Sequence, residues 1–203
     1  EVDTLWITDY PLGTAVNTRK WKTVLTTQTI TVAGGRYELN SSGITTVNTG
    51  SMLQSWRMVP FFKANSTYLE FNVNWSLAPV ANWFAEWGAG NAATAIAAAT
   101  DAVFFSITAG QFRGVCRNAG VETYVDLGEV PAEAVVHDFV AEVSQGAVHF
   151  WHDGNLLGTI NVPNAQFGST SQPTLPAFIR TYNGAVAPSV AIKLQCSAIQ
   201  ASN

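Results

Sequence analysis

The stretch from Thr67 to Leu77, TYLEFNVNWSL, decides the fold class. Leu69, Phe71, Val73 and Trp75 fall on one face, and Glu70, Asn72, Asn74 and Ser76 on the other. Successive side chains of a strand point to opposite sides, so this period of two reads as a half-buried β-strand. Toward the C-terminus the pattern repeats. Trp83 to Trp87 is a second aromatic segment, and the small-residue run Gly88 to Thr100 links it onward. Ala102 to Thr108 and Gln111 to Arg117 flank Ala109-Gly110 and predict a hairpin. Val121 to Leu127 is a further short strand. Val135 to Val143 and Ala147 to His152 come next, then Asp153-Gly154, then Asn155 to Ile160. An Asp-Gly pair between apolar runs signals a hairpin, because both residues tolerate positive φ. Ala177 to Tyr182 and Val190 to Ile199 complete the series. Toward the N-terminus, Met52 to Met58, Arg36 to Asn40 and the β-branched run Thr23 to Val32 read as strands.

About a dozen strands and no helix mean an all-β class, an antiparallel sandwich or barrel. Composition agrees. Of 203 residues, 47% are hydrophobic and only 12% charged, against about 25% charged in average domains. That balance excludes a disordered chain and a coiled coil. The net charge is −4 with no basic block, so no nucleic-acid partner is expected. No uncharged apolar run reaches the roughly 18 residues of a membrane helix, so no membrane partner is expected either. Low charge with high apolar content implies that another protein covers part of the surface. The start, Glu1-Val-Asp-Thr4, lacks a signal-peptide pattern and an initiator Met, which suggests a processed chain. Residues 1–203 read as one sandwich, with residues 1–20 available as an assembly arm. Sequons occur at Asn40, Asn65 and Asn74.

The titratable residues form no obvious reactive set. His149 and His152, three apart on a strand, point to opposite faces and make a poor metal pair. His137 and Asp138 are adjacent, so the carboxylate does not orient the ring. No Gly-x-Ser-x-Gly elbow accompanies them. Cys116 and Cys196 could form one disulfide, but the favoured reading is two buried thiols, with no nucleophile at Cys116. Glu122 and Asp126 have the spacing of one strand face, as do Glu129 and Glu133; the former pair, with Tyr124 between them, invites comparison with a glycosidase dyad. No dinucleotide, phosphate-loop or calcium-loop motif is present. The expectation is therefore no catalytic residue, no metal and no cofactor.

The aromatics offer more. Trp faces stack on sugar rings and anchor protein interfaces. Trp75 belongs to the apolar face of its strand. Trp83 and Trp87 border the Ala-Gly run and, with Tyr124, are the candidates for sugar stacking. Trp6 and Trp21, in the polar N-terminal region, are the candidates for an interface.

The run from His137 (HDFVAEV), a turn, and then Val148 to Ile160 (VHFWHDGNLLGTI) resembles the late hairpin of concanavalin A-like jelly-roll domains, leading to Pro163. Leu175 to Gly184 followed by Val190 to Ile199 is similar to the closing strands of that fold. The resemblance implies a jelly-roll β-sandwich. The Thr- and Gly-rich stretch Thr26 to Asn48, with Ser51 to Arg57 leading into the sandwich, further resembles tailed-phage virion proteins. That implies a non-enzymatic structural role in the virion, as a capsid decoration or fibre-like appendage. The partners implied are other virion proteins and further copies of the chain in a homo-oligomer. The alternative is a lectin-like module on a cell-surface glycan. The Glu-x-Asp-x-x-Glu strand of the superfamily's glucanases is missing, and the lectins' acidic metal loop has no counterpart.

Overall fold

A computed structural model describes residues 5–61, 66–108, 110–144, 146–161 and 174–203. Asn65 of the second sequon, Pro163, Ala109 of the predicted turn, and residues 1–4 lie outside the described residues. The described chain holds fifteen strands and no helix. They are β1 (Leu5–Asp9), β2 (Trp21–Thr26), β3 (Ile30–Ala33), β4 (Arg36–Leu39), β5 (Gly50–Pro60), β6 (Thr67–Trp75), β7 (Trp83–Gly90) and β8 (Ala102–Thr108). They continue with β9 (Gln111–Asn118), β10 (Val121–Gly128), β11 (His137–Ser144), β12 (Ala147–His152), β13 (Asn155–Asn161), β14 (Thr174–Asn183) and β15 (Leu194–Ser202).

Two antiparallel sheets result. An eight-stranded sheet runs β13-β12-β11-β6-β15-β4-β3, with β1 also paired to β15. A seven-stranded sheet runs β10-β9-β8-β7-β14-β5-β2. Strand β6 lies centrally, paired with β11 on one side and β15 on the other, and its Leu69, Phe71, Val73 and Trp75 are fully buried. They meet Leu53, Trp87, Phe105, Phe112 and Ile179 of the other sheet in one core. Aromatic rings tie the layers together. Trp75 stacks on Trp87 at 6.2 Å, and Phe139 lies 4.9 Å from Trp87 and 5.3 Å from Phe105.

The run Thr23 to Val32 is not one strand. It divides into β2 and β3, which belong to different sheets. Thr27 sits between them at φ 68°, a conformation a β-branched residue adopts only under constraint. The buried Gln28 holds the crossing: its Nε2 donates to Thr49 O and Oγ1, and its Oε1 accepts from Ser51. The Asp153-Gly154 hairpin forms as predicted, with φ of 47° and 77°.

The N-terminal segment does not leave the subunit within the described residues. β1 pairs with β15, and the buried Asp9 accepts from Trp21 Nε1 at 2.5 Å, from Tyr37 OH and from Lys20 Nζ at 2.7 Å. Trp21 is 1% exposed, so it is a core residue rather than an interface anchor. Trp6 is half-buried against the same core and lines a surface pocket with Arg19, Lys20 and Arg57. The sequons at Asn40 and Asn74 are buried, so neither side chain is open to glycosylation in the fold. Cys116 and Cys196 are free and buried.

Candidate functional site

The face of the seven-stranded sheet turned away from the core is built by strand parity. On β7, Trp83, Ala85, Trp87 and Ala89 point into the core. The alternate positions Phe84, Glu86, Gly88 and Gly90 therefore point outward. Trp83 and Trp87 are 0% exposed, which corrects their expected role in sugar stacking. The neighbouring strands supply the rest through register. Glu86 pairs with Ser106, Ser106 with Arg113, and Arg113 with Asp126, giving one row across four strands. The next row holds Gly88, Phe104, Val115 and Tyr124.

The two halves of this face differ. Over β7, β8, β14 and β5 it is covered by the Ala-rich connection 91–101. Ala92, Ala95 and Ala99 pack on Met52, Phe104, Val115 and Phe178, forming a second apolar cluster outside the sandwich core. Gly50 makes room for it: a Cβ there would lie 3.0 Å from Ile96 Cγ2 and 3.1 Å from Ala95 Cβ. Beneath the cover lies a buried ion pair. Glu86 Oε2 accepts from Arg180 Nε at 2.8 Å and Nη2 at 2.5 Å. Its Oε1 accepts from Tyr182 OH at 2.9 Å. Arg180 Nη1 also donates to Ala97 O, so the pair fastens the connection to the sheet. Burial, with the Glu86 charge beside it, pushes the Tyr182 hydroxyl well above its ordinary range.

The half toward β10 is open. Tyr124 is 52% exposed, and the Arg113 guanidinium carbon lies 4.3 Å from its ring centroid. Gln111 accepts from Arg113, and Glu122 accepts from Arg117 Nε at 2.8 Å. Tyr124 is therefore the sole member of the sequence-derived sugar-stacking set that lies at the surface. Glu122 and Asp126 are engaged separately: Glu122 Oε2 accepts from Arg117, and Asp126 Oδ1 accepts from the Gly128 amide at 2.9 Å. Four residues apart on one strand, their backbone positions are about 13 Å apart at 3.3 Å per residue. Glu86 and Asp126, three strands apart in their row, are about 14 Å apart.

A second cluster lies on the core-facing side of the eight-stranded sheet, at the end of the sandwich. It joins the start of β11 to the β12–β13 turn. His137 Nδ1, His152 Nε2 and Asp153 Oδ2 are 3.0 Å from one another. Three possible ligand atoms thus converge here, where the sequence offered only His149 and His152 as a pair. His152 meets His137 rather than His149, whose Nδ1 bonds Thr159 Oγ1 instead. Asp138 faces away and accepts from Asn72, and Asp153 is the carboxylate that touches His137. Burial lowers the His152 pKa. Burial alone would raise Asp153, but the His137 ring beside Oδ2 and the Asp138 amide on Oδ1 hold it below its ordinary value.

Neither a family model nor a curated protein sequence matches the chain. Solved structures do. An endo-1,3-β-glucanase from Streptomyces sioyaensis superposes with a TM-score of 0.69 at 10% identity, covering 98% of this chain and 96% of that one. A Bacillus licheniformis β-glucanase gives 0.67 at 14% identity, covering 97% and 98%. The carbohydrate recognition domain of Emp47p gives 0.63 at 12% identity, covering 94% and 93%.

The fold is the concanavalin A-like jelly roll. The expectation that the chain is not an enzyme is thereby corrected, since glucanases share this architecture over nearly its whole length. None of these three structures is a virion component, so the virion role rests on sequence layout alone.

Proposed function

We propose that the chain binds a glycan on the open half of the outward face of the seven-stranded sheet. Tyr124 would be the stacking platform, flanked by Arg113, Gln111 and Asp126. The observation that carries this reading is the half-exposed Tyr124 ring set among polar side chains on a rigid sheet. A flat aromatic face excludes water from the apolar face of a sugar, while the neighbours satisfy its hydroxyls. The names of the similar structures, β-glucanases and a carbohydrate recognition domain, support a polysaccharide as the ligand class.

The test is a glycan-array screen followed by titration with the best ligand. Tyr124→Ala should weaken binding by about tenfold or more, the loss of an aromatic anchor worth over about 1.4 kcal/mol. Tyr68→Ala, on the eight-stranded sheet, should leave it unchanged. Release of reducing ends in the same incubation would reveal turnover. Binding that survives Tyr124→Ala, or folded protein that binds no glycan, would overturn the proposal.

A further inference from the structure

The triangle of His137, His152 and Asp153 sets three potential ligand atoms within reach of one another. His137 Nε2 lies 3.0 Å from Ala132 O. A carbonyl only accepts, so Nε2 carries the hydrogen and a neutral His137 presents a lone pair at Nδ1. Asp153 Oδ2 is also an acceptor. Within the triangle a neutral set can place one hydrogen, on His152 Nε2, against three contacts of 3.0 Å. A divalent cation would use all three lone pairs at once.

The surroundings fix each ligand. Asp153 Oδ1 accepts from the Asp138 amide at 2.8 Å, and the Asp153 amide donates to Asp138 O at 2.8 Å, which leaves Oδ2 turned inward. The His137 ring stacks on Trp75 at 6.0 Å, and the His152 ring on Phe139 at 4.9 Å with an 18° tilt. Hydrogen bonds on the second ring nitrogen and packing of the rings are the outer-shell features that orient metal ligands. The side chains of His137 and His152 are 10% and 19% exposed, while that of Asp153 is 46% exposed, so the cluster opens on one side only.

We infer that His137, His152 and Asp153 form a site for a divalent transition metal, zinc first, with the coordination position beside Asp153 open to solvent. Two imidazoles and one carboxylate suit zinc and its first-row neighbours, whereas calcium and magnesium take oxygen ligands. Zinc bonds of about 2.0 to 2.2 Å with tetrahedral angles set ligand atoms about 3.3 to 3.5 Å apart. The 3.0 Å edges of the triangle need to open by only a few tenths of an ångström, which a hairpin tip can supply. The metal would clip the β12–β13 turn to the start of β11. This site is separate from the outward face of the other sheet, and it does not depend on glycan binding.

The experiment is zinc titration of the chelator-treated full chain against a chromogenic competitor, with Co²⁺ as a spectroscopic probe. One zinc per chain is expected, unaffected by excess Ca²⁺. Co²⁺ should give the visible bands of a low-coordinate site and lose them when zinc is added. Outer-shell changes alone cost about 10- to 100-fold in affinity, so Asp153→Asn and His152→Gln should each cost at least about 100-fold. Asn tolerates the positive φ of position 153, and near-UV circular dichroism verifies that both variants are folded. His149→Gln should bind as the parent does. No stoichiometric uptake by the folded parent would overturn the site. So would full affinity in both ligand variants, or an equal loss in His149→Gln.

Discussion

Replacing Arg180 with Met would break the ion pair that sits between the Ala-rich connection and the seven-stranded sheet. In the native structure the side chains of Arg180 and Glu86 are 2% and 4% exposed. Removing the guanidinium takes two hydrogen bonds from Glu86 Oε2 and leaves Ala97 O without its donor. The Tyr182 hydroxyl would then be left donating to the carboxylate. Stranding one charge of a buried pair costs about 3 to 5 kcal/mol, a factor of several hundred or more in the folding equilibrium. Replacing the pair by neutral groups costs far less, because neither charge then has to leave water. Glu86→Gln keeps an acceptor for Tyr182, so Glu86→Gln/Arg180→Met should recover most of the loss and fall within about 1 to 2 kcal/mol of the parent. Equilibrium unfolding in urea for the four members of this cycle measures the coupling directly. An Arg180→Met loss below about 1 kcal/mol would refute a buried, uncompensated carboxylate. A double variant as unstable as the sum of the two singles would refute the coupling itself.

Trp87→Ala empties the centre of the aromatic core and should cost about 3 to 5 kcal/mol, read as a shift in denaturant midpoint. A loss of glycan binding in that variant would then track unfolding rather than a missing contact. Burial raises the Tyr37 and Tyr182 hydroxyls well above their ordinary value. Above pH about 10 the unfolded chain releases those protons while the folded chain keeps them, so stability falls as pH rises. Alkaline unfolding followed by tyrosinate absorbance should become less steep in Tyr37→Phe, and an unchanged slope would contradict the linkage. Burial likewise pushes the Cys116 and Cys196 thiols up. Both should resist alkylation in native protein at mildly alkaline pH and react fully after denaturation, as mass spectrometry would register.

Much of the fold is visible in single strands. The alternation of β6, the Asp153-Gly154 turn and the absence of helical periodicity are local properties, and the sheets preserve them. Local pattern failed where burial was two-sided. Outward-facing Glu86 on β7 is buried under the Ala-rich connection, as Trp87 is buried in the core, so no alternation marks which face Trp83 and Trp87 take. The split of Thr23 to Val32 was equally hidden, since both halves are β-branched and only Thr27 and the buried Gln28 separate the sheets. The exposure of Tyr124 follows from the place of β10 at the edge of its sheet.

The sequence by itself determined an all-β sandwich with a large aromatic core and little surface charge, because strand period, turn chemistry and composition act over a few residues. The tertiary structure alone decided which side chains meet. Arg180 reaches Glu86 across 94 residues because β14 lies beside β7. His137 meets His152 across 15 residues because β11 and β12 run antiparallel, which brings the start of one beside the end of the other. Long-range register is a property of the packed sheets and has no counterpart in any local window of the chain.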